Sequence, residues 1–157
     1  MPDLFISSLH RISSHLKSRG ECLSTAEGGT GGFAELPDAA AFYSGGITSC
    51  GPMGPGATGT KTSKQIAVSL AFTESMALKV AELLSTEWAV ATAGYAPPER
   101  CREAEAYFVI AYRGQIILSY RIALHPRTQA VDAGRYFMES ILGFLQCELI
   151  RREKVNN

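Results

Sequence analysis

Two runs rich in Ile, Val, Tyr and Phe, residues 106–112 and 115–124, are separated only by Arg113-Gly114. A two-residue link between β-prone runs leaves one local solution, an antiparallel hairpin. Upstream the pattern is different. Phe5, Leu9, Ile12 and Leu16 share one face of a helix over residues 3–19, and Gly20 suits its C′ stop. Residues 22–26 read as a strand running into a glycine-rich turn. Residues 33–43 are expected to be helical in part, with Pro37 in a first turn. Residues 45–49 form a short second strand. Ser69 caps a helix over 70–84, with Leu70, Met76, Ala77, Val80, Leu83 and Leu84 as its apolar stripe. Residues 87–93 read as a buried strand. Thr128 starts a last helix to about residue 150, its core face being Val131, Met138, Ile141, Leu142, Leu145 and Leu149. The early alternation argues for parallel strands joined by crossover helices, and the hairpin adds antiparallel pairing. The expectation is one α/β domain over residues 1–157, a mixed sheet with helices on both faces.

Composition removes several function classes. At 157 residues with 46% hydrophobic and 19% charged content, the chain is long and apolar enough for one packed core. Fifteen basic residues balance fifteen acidic ones. Neither nucleic acid nor an acidic membrane is an expected partner. Arg151-Arg152-Glu153-Lys154 reads as a solvated helix end, where cations suit the dipole. Cys22, Cys50, Cys101 and Cys147 are scattered and form no C-x-x-C pair, so no metal site is expected. Free thiols and the lack of a signal-like or membrane-spanning run point to the cytoplasm. No cofactor is implied.

The chemistry-bearing candidates are loops. Gly28, Gly29, Thr30, Gly31 and Gly32 follow the first strand, directly after Glu27. Glycines there let backbone N–H groups approach a ligand closely. Residues 50–65 are too rich in Pro and Gly for regular structure. Within them, residues 54–62 nearly spell a P-loop, but Thr60 is inserted before Lys61 and no clear strand precedes them. That argues against a nucleoside triphosphatase. His10, His15 and His125 show no ligand or triad spacing. No serine sits in G-x-S-x-G.

Four ordered blocks carry a resemblance. They are Thr25 to Gly32 (TAEGGTGG), Ala40 to Thr48 (AAFYSGGIT), Ile66 to Ser69 (IAVS) and Ala91 to Pro98 (ATAGYAPP). Together they resemble the C-terminal domain of the CinA competence/damage-inducible proteins, whose stand-alone members are nicotinamide mononucleotide deamidases. The family patterns are T-A-E-S-C-T-G-G, S-A-Y-F-x-G-G-V-V-T-Y-S-N-x-x-K, G-A-V-S and A-x-T-G-I-A-G-P. The resemblance implies a three-layer α/β sandwich that usually self-associates and hydrolyses a carboxamide to release ammonia. It also implies a serine nucleophile in the glycine block, assisted by a tyrosine and a lysine.

Each of those positions is substituted here. Gly28 stands at the serine, Ser49 at the tyrosine and Gly54 at the lysine, and Ala93 replaces the hydroxyl residue of the last block. Glu27, Thr30, Gly31 and Gly32 persist, and Arg127 aligns roughly with a phosphate-handling arginine of the family. The ligand-binding candidates are therefore Glu27, Gly28, Gly29, Thr30, Gly31, Gly32, Gly94 and Arg127, for a small nucleotide or phosphate. Three readings follow: an inactive relative that still binds such a ligand; an active amidohydrolase with Thr30 as relocated nucleophile and Lys61 or Lys64 as its base; or a homo-oligomeric interaction module.

Overall fold

The computed structural model describes residues 2–27, 39–48, 70–94, 104–124 and 130–156. Among them, helix α1 (Pro2–Arg19) leads into strand β1 (Leu23–Glu27). A short 3-10 turn (Ala39–Ala41) precedes β2 (Tyr43–Thr48). Helix α2 (Leu70–Leu84), β3 (Trp88–Gly94), β4 (Ala104–Tyr112), β5 (Gln115–Leu124) and helix α3 (Ala130–Asn156) complete the order. The strands form one sheet in the order β2-β1-β3-β4-β5. The β1–β2 and β1–β3 pairs are parallel; the β3–β4 and β4–β5 pairs are antiparallel. This is the expected mixed α/β sheet.

Strand alternation divides the core. One sheet face presents Leu23, Trp88, Val90, Phe108, Ile110 and Ile122 to α1 and α3. Leu9, Ile12 and Leu16 of α1 and Phe137, Ile141, Leu142, Leu145 and Leu149 of α3 fill that layer. Burying each such Leu or Ile fully is worth about 1.5–3 kcal/mol. The opposite face is built of small residues. Ala26, Ala89, Ala91, Ala93 and Ala111 meet Met76, Ala77, Val80 and Ala81 of α2. Small side chains on both partners let α2 lie close against the sheet. Helices thus cover both faces, as the alternation predicts.

Helices α1 and α2 stop in the same way. Gly20 takes φ +64°, its N–H reaches the Lys17 carbonyl at 3.1 Å, and the Glu21 N–H reaches that of Leu16 at 2.9 Å. Ser85 repeats this pattern with φ +52°, its N–H bonding to Glu82 at 3.3 Å and the Thr86 N–H to Ala81 at 3.0 Å. Both are Schellman stops, with a left-handed residue at C′.

Some boundaries differ from the expectation. Tyr43 is the first residue of β2, and the described part of 33–43 holds only the 3-10 turn. Glycines in β2 obscured it: Ser44 is the extra residue of a bulge between the Leu23–Tyr43 and Ser24–Gly45 pairs, and Gly45 takes φ +139°. On α2, Leu83 is 61% exposed, whereas Thr73 and Ala81 are buried. The helix buries its 73–77–80–81 face and turns Leu83 away from the alanine layer. Helix α3 continues to Asn156. Ser69 and Thr128, the expected helix starts, lie outside the described residues.

Candidate functional site

The three parallel strands end together. Glu27 is in register with Thr48 on one side and Thr92 on the other. Gly94 closes β3 opposite Ala106, and Ala104 pairs with Leu124, so β4 begins and β5 ends at this same carboxyl edge. The chain leaves or rejoins the sheet there after Glu27, Thr48, Gly94 and Leu124. Of the expected site, the structure places Glu27 and Gly94 on neighbouring strand ends. Gly28, Gly29, Thr30, Gly31, Gly32, Lys61, Lys64 and Arg127 lie outside the described residues, as do Ser49 and Gly54.

Topology gives this edge its character. β1 lies between β2 and β3, so the link from β1 to β2 and the link from β2 to β3 run in opposite directions along the sheet. Right-handed crossovers then fall on opposite faces. Helix α2 of the second link packs on the alanine face, while Phe42, at the end of the first link, packs in the α1–α3 layer. The carboxyl ends of β1 and β3 therefore form a topological switch point, where open α/β sheets take their ligands.

Just inside this edge, a part-buried pair of hydroxyls holds two strands together. Thr25 Oγ1 and the Tyr43 hydroxyl are 2.6 Å apart, which ties β1 to β2. Gly46 makes this possible: a Cβ there would lie 2.2 Å from the Tyr43 hydroxyl and 2.4 Å from Thr25 Oγ1. Ala93 is buried in the α2 layer. Among the described residues, no group of three or more His, Cys, Asp or Glu could hold a metal, and no helix is long and apolar enough to cross a membrane.

A second polar cluster sits at the opposite, amino edge. Glu21 is buried in the short link between α1 and β1. Its carboxylate accepts the Tyr112 O–H at 2.6 Å and the Trp88 Nε1–H at 3.4 Å, and Arg19 Nε lies 2.5 Å away. Arg19 Nη2 donates in turn to the Tyr112 oxygen at 3.2 Å. Burial, then the hydrogen bond and charge of Glu21, push the Tyr112 hydroxyl above its ordinary pKa, with Arg19 opposing. Three guanidinium carbons, those of Arg152, Arg113 and Arg19, lie 5.1, 5.2 and 5.8 Å from the Tyr112 ring centre. Arg152 is thus not the solvated helix end that its charge run predicts. No local motif could have revealed this cluster, because its members come from α1, β3, the hairpin and α3. His15 pairs with Glu153 and helps hold α1 to α3.

No protein-family model and no curated protein matches the chain. Solved structures do. A crystal structure of a competence-damaged protein (CinA) superfamily protein from Klebsiella pneumoniae superposes with a TM-score of 0.73 at 23% identity, covering 94% of this chain and 98% of that one. A competence or damage-inducible protein from Enterobacter asburiae gives 0.76 at 21% identity, over 92% and 98%. The competence/damage inducible protein CihA from Agrobacterium tumefaciens gives 0.60 at 20% identity, over 98% and 96%. This chain shares the α/β fold of all three.

Proposed function

We propose that this chain is a CinA-like domain that has lost amide-cleaving chemistry and still binds a small nucleotide or phosphate at the carboxyl edge of β1 and β3. One observation carries the reading. The family's nucleophile position directly follows Glu27, the last residue of β1, and it is occupied by Gly28. Glycine has no side chain to attack a carbonyl. The assisting tyrosine and lysine are replaced by Ser49 and Gly54, which cannot activate a nucleophile in their stead. Backbone remains: glycine N–H groups at a strand end need no side chain to receive a phosphate.

In this reading Gly28 to Gly32 cradle the anion and Arg127 neutralises it, while the Thr25–Tyr43 bond and the alanine layer keep the strand ends rigid. Residence in the cytoplasm and self-association belong to the same proposal. The test is a pair of measurements on the purified protein with nicotinamide mononucleotide, ammonia release and calorimetric binding. Binding without ammonia release is expected. Turnover that Thr30→Ala abolishes would overturn the reading and assign the chemistry to a relocated nucleophile.

A further inference from the structure

The amino edge, at the far end of the sheet from the proposed nucleotide site, carries a cleft of about 430 Å³. Its polar lining is Arg19, Tyr112, Arg113, Glu148, Arg151 and Arg152. Four guanidinium groups gather there against two carboxylates, Glu148 and the buried Glu21 behind Tyr112. Glu21 is consumed by Tyr112, Trp88 and Arg19, and Arg113 Nη2 stands off at 3.7 Å. Glu148 is likewise only loosely engaged, 3.7 Å from Arg151 and 3.8 Å from Arg152. Glu87, which accepts the Cys22 N–H at 2.8 Å, lines a neighbouring hollow rather than this cleft. A surplus of two positive charges is left facing the cleft.

Two further observations show that this surplus is built into the fold. Arg19 Nη1 and Arg152 Nε are buried and have no hydrogen-bond partner among the described residues. A buried charged donor without an acceptor is costly, so the chain by itself leaves these two guanidinium groups under-satisfied. Arg113 also occupies the first central position of the hairpin turn, at φ +48° before Gly114 at φ +76°. That turn favours Asn or Gly at its first position. The arginine carries a backbone cost in this conformation, and its guanidinium lies over the Tyr112 ring at the cleft.

We infer that this cleft is an anion site for a phosphate monoester, separate from the carboxyl-edge site and independent of that reading. A monoester is a dianion above its second pKa of about 6, which matches the surplus of two. Guanidinium forks recognise such oxygens through paired N–H donors. The cleft is larger than a bare phosphate, so it admits the organic body of a small ester.

Thermal unfolding at constant ionic strength tests this, with inorganic phosphate, a small phosphate monoester and the matching diester as probes and chloride as reference. Phosphate and the monoester are expected to raise Tm saturably, by roughly 3–6 °C at about ten times the dissociation constant. The effect should strengthen as pH rises through about 6, where the dianion forms. The singly charged diester, which stands in for lipid headgroups and nucleic-acid backbone, is expected to bind at least about tenfold more weakly. Measured in an Arg127→Gln background, where the carboxyl-edge site is disabled, Arg152→Gln and the exposed Arg151→Gln are each expected to weaken phosphate binding by about tenfold or more. Arg151→Gln decides the matter if Arg152→Gln does not fold. A phosphate shift no larger than chloride's would overturn the proposal. So would equal binding of diester and monoester, or, in the Arg127→Gln background, binding that is already lost or that both further variants keep.

Discussion

The Tyr112 hydroxyl donates to the buried Glu21 carboxylate at 2.6 Å, and so joins the end of β4 to the link that enters β1. Glu21 is the acceptor on which the amino edge converges, with Arg19 as its charge partner at 2.5 Å. Removing it strands a mostly buried guanidinium. Glu21→Ala is expected to cost about 3 kcal/mol or more, because breaking a buried pair leaves an uncompensated charge. Urea unfolding of the two proteins measures it. A loss below about 1 kcal/mol would place the pair among surface ion pairs.

The raised pKa of Tyr112 gives a pH signature. The folded state holds the phenol proton more tightly than the unfolded chain, whose tyrosine titrates near 10.0. The associated stability is fully present below pH 10 and is lost as pH rises through the folded-state value. Tyr112→Phe removes that alkaline loss. Stability measured between pH 8 and about 11 should therefore fall less in the variant than in the parent.

Gly46 is a steric necessity. Gly46→Ala drives a methyl group into both the Tyr43 hydroxyl and Thr25 Oγ1, and it breaks their hydrogen bond. The expected loss is about 2–4 kcal/mol, overpacking plus a lost part-buried bond. Tyr43→Phe removes one of the two clashing oxygens. A double-mutant cycle should therefore show coupling of at least about 0.5 kcal/mol.

Ser85 ends α2 in a left-handed conformation that costs a non-glycine residue. Ser85→Gly is expected to stabilise the protein by about 0.5–1 kcal/mol, since glycine is the preferred C′ residue. Comparison of the two unfolding midpoints checks it, and a destabilised variant would contradict the assigned helix stop.

Legibility in the sequence followed the range of the interactions. The hairpin was plain because Arg113-Gly114 leaves a two-residue turn between β-prone runs. Leu9, Ile12 and Leu16 were plain because a helical period is local. Strand β2 was obscured, since Gly45 is required by a bulge and Gly46 by side chains on two strands, and neither reason shows in a one-dimensional pattern. Leu83 was misplaced because six apolar residues on α2 exceed what one face can bury against alanines. The glycine block after Glu27 is visible as local text, and the sheet brings Glu27 and Gly94 to adjacent strand ends. The amino-edge cluster was invisible, because Glu21, Trp88, Tyr112 and Arg152 meet only through tertiary packing.

The central claim is that Gly28 leaves this fold without amide-cleaving power. Ammonia release from nicotinamide mononucleotide, measured with the purified protein against a no-protein control, tests it most directly. The account predicts release indistinguishable from the control. Sustained, protein-dependent ammonia production would contradict it.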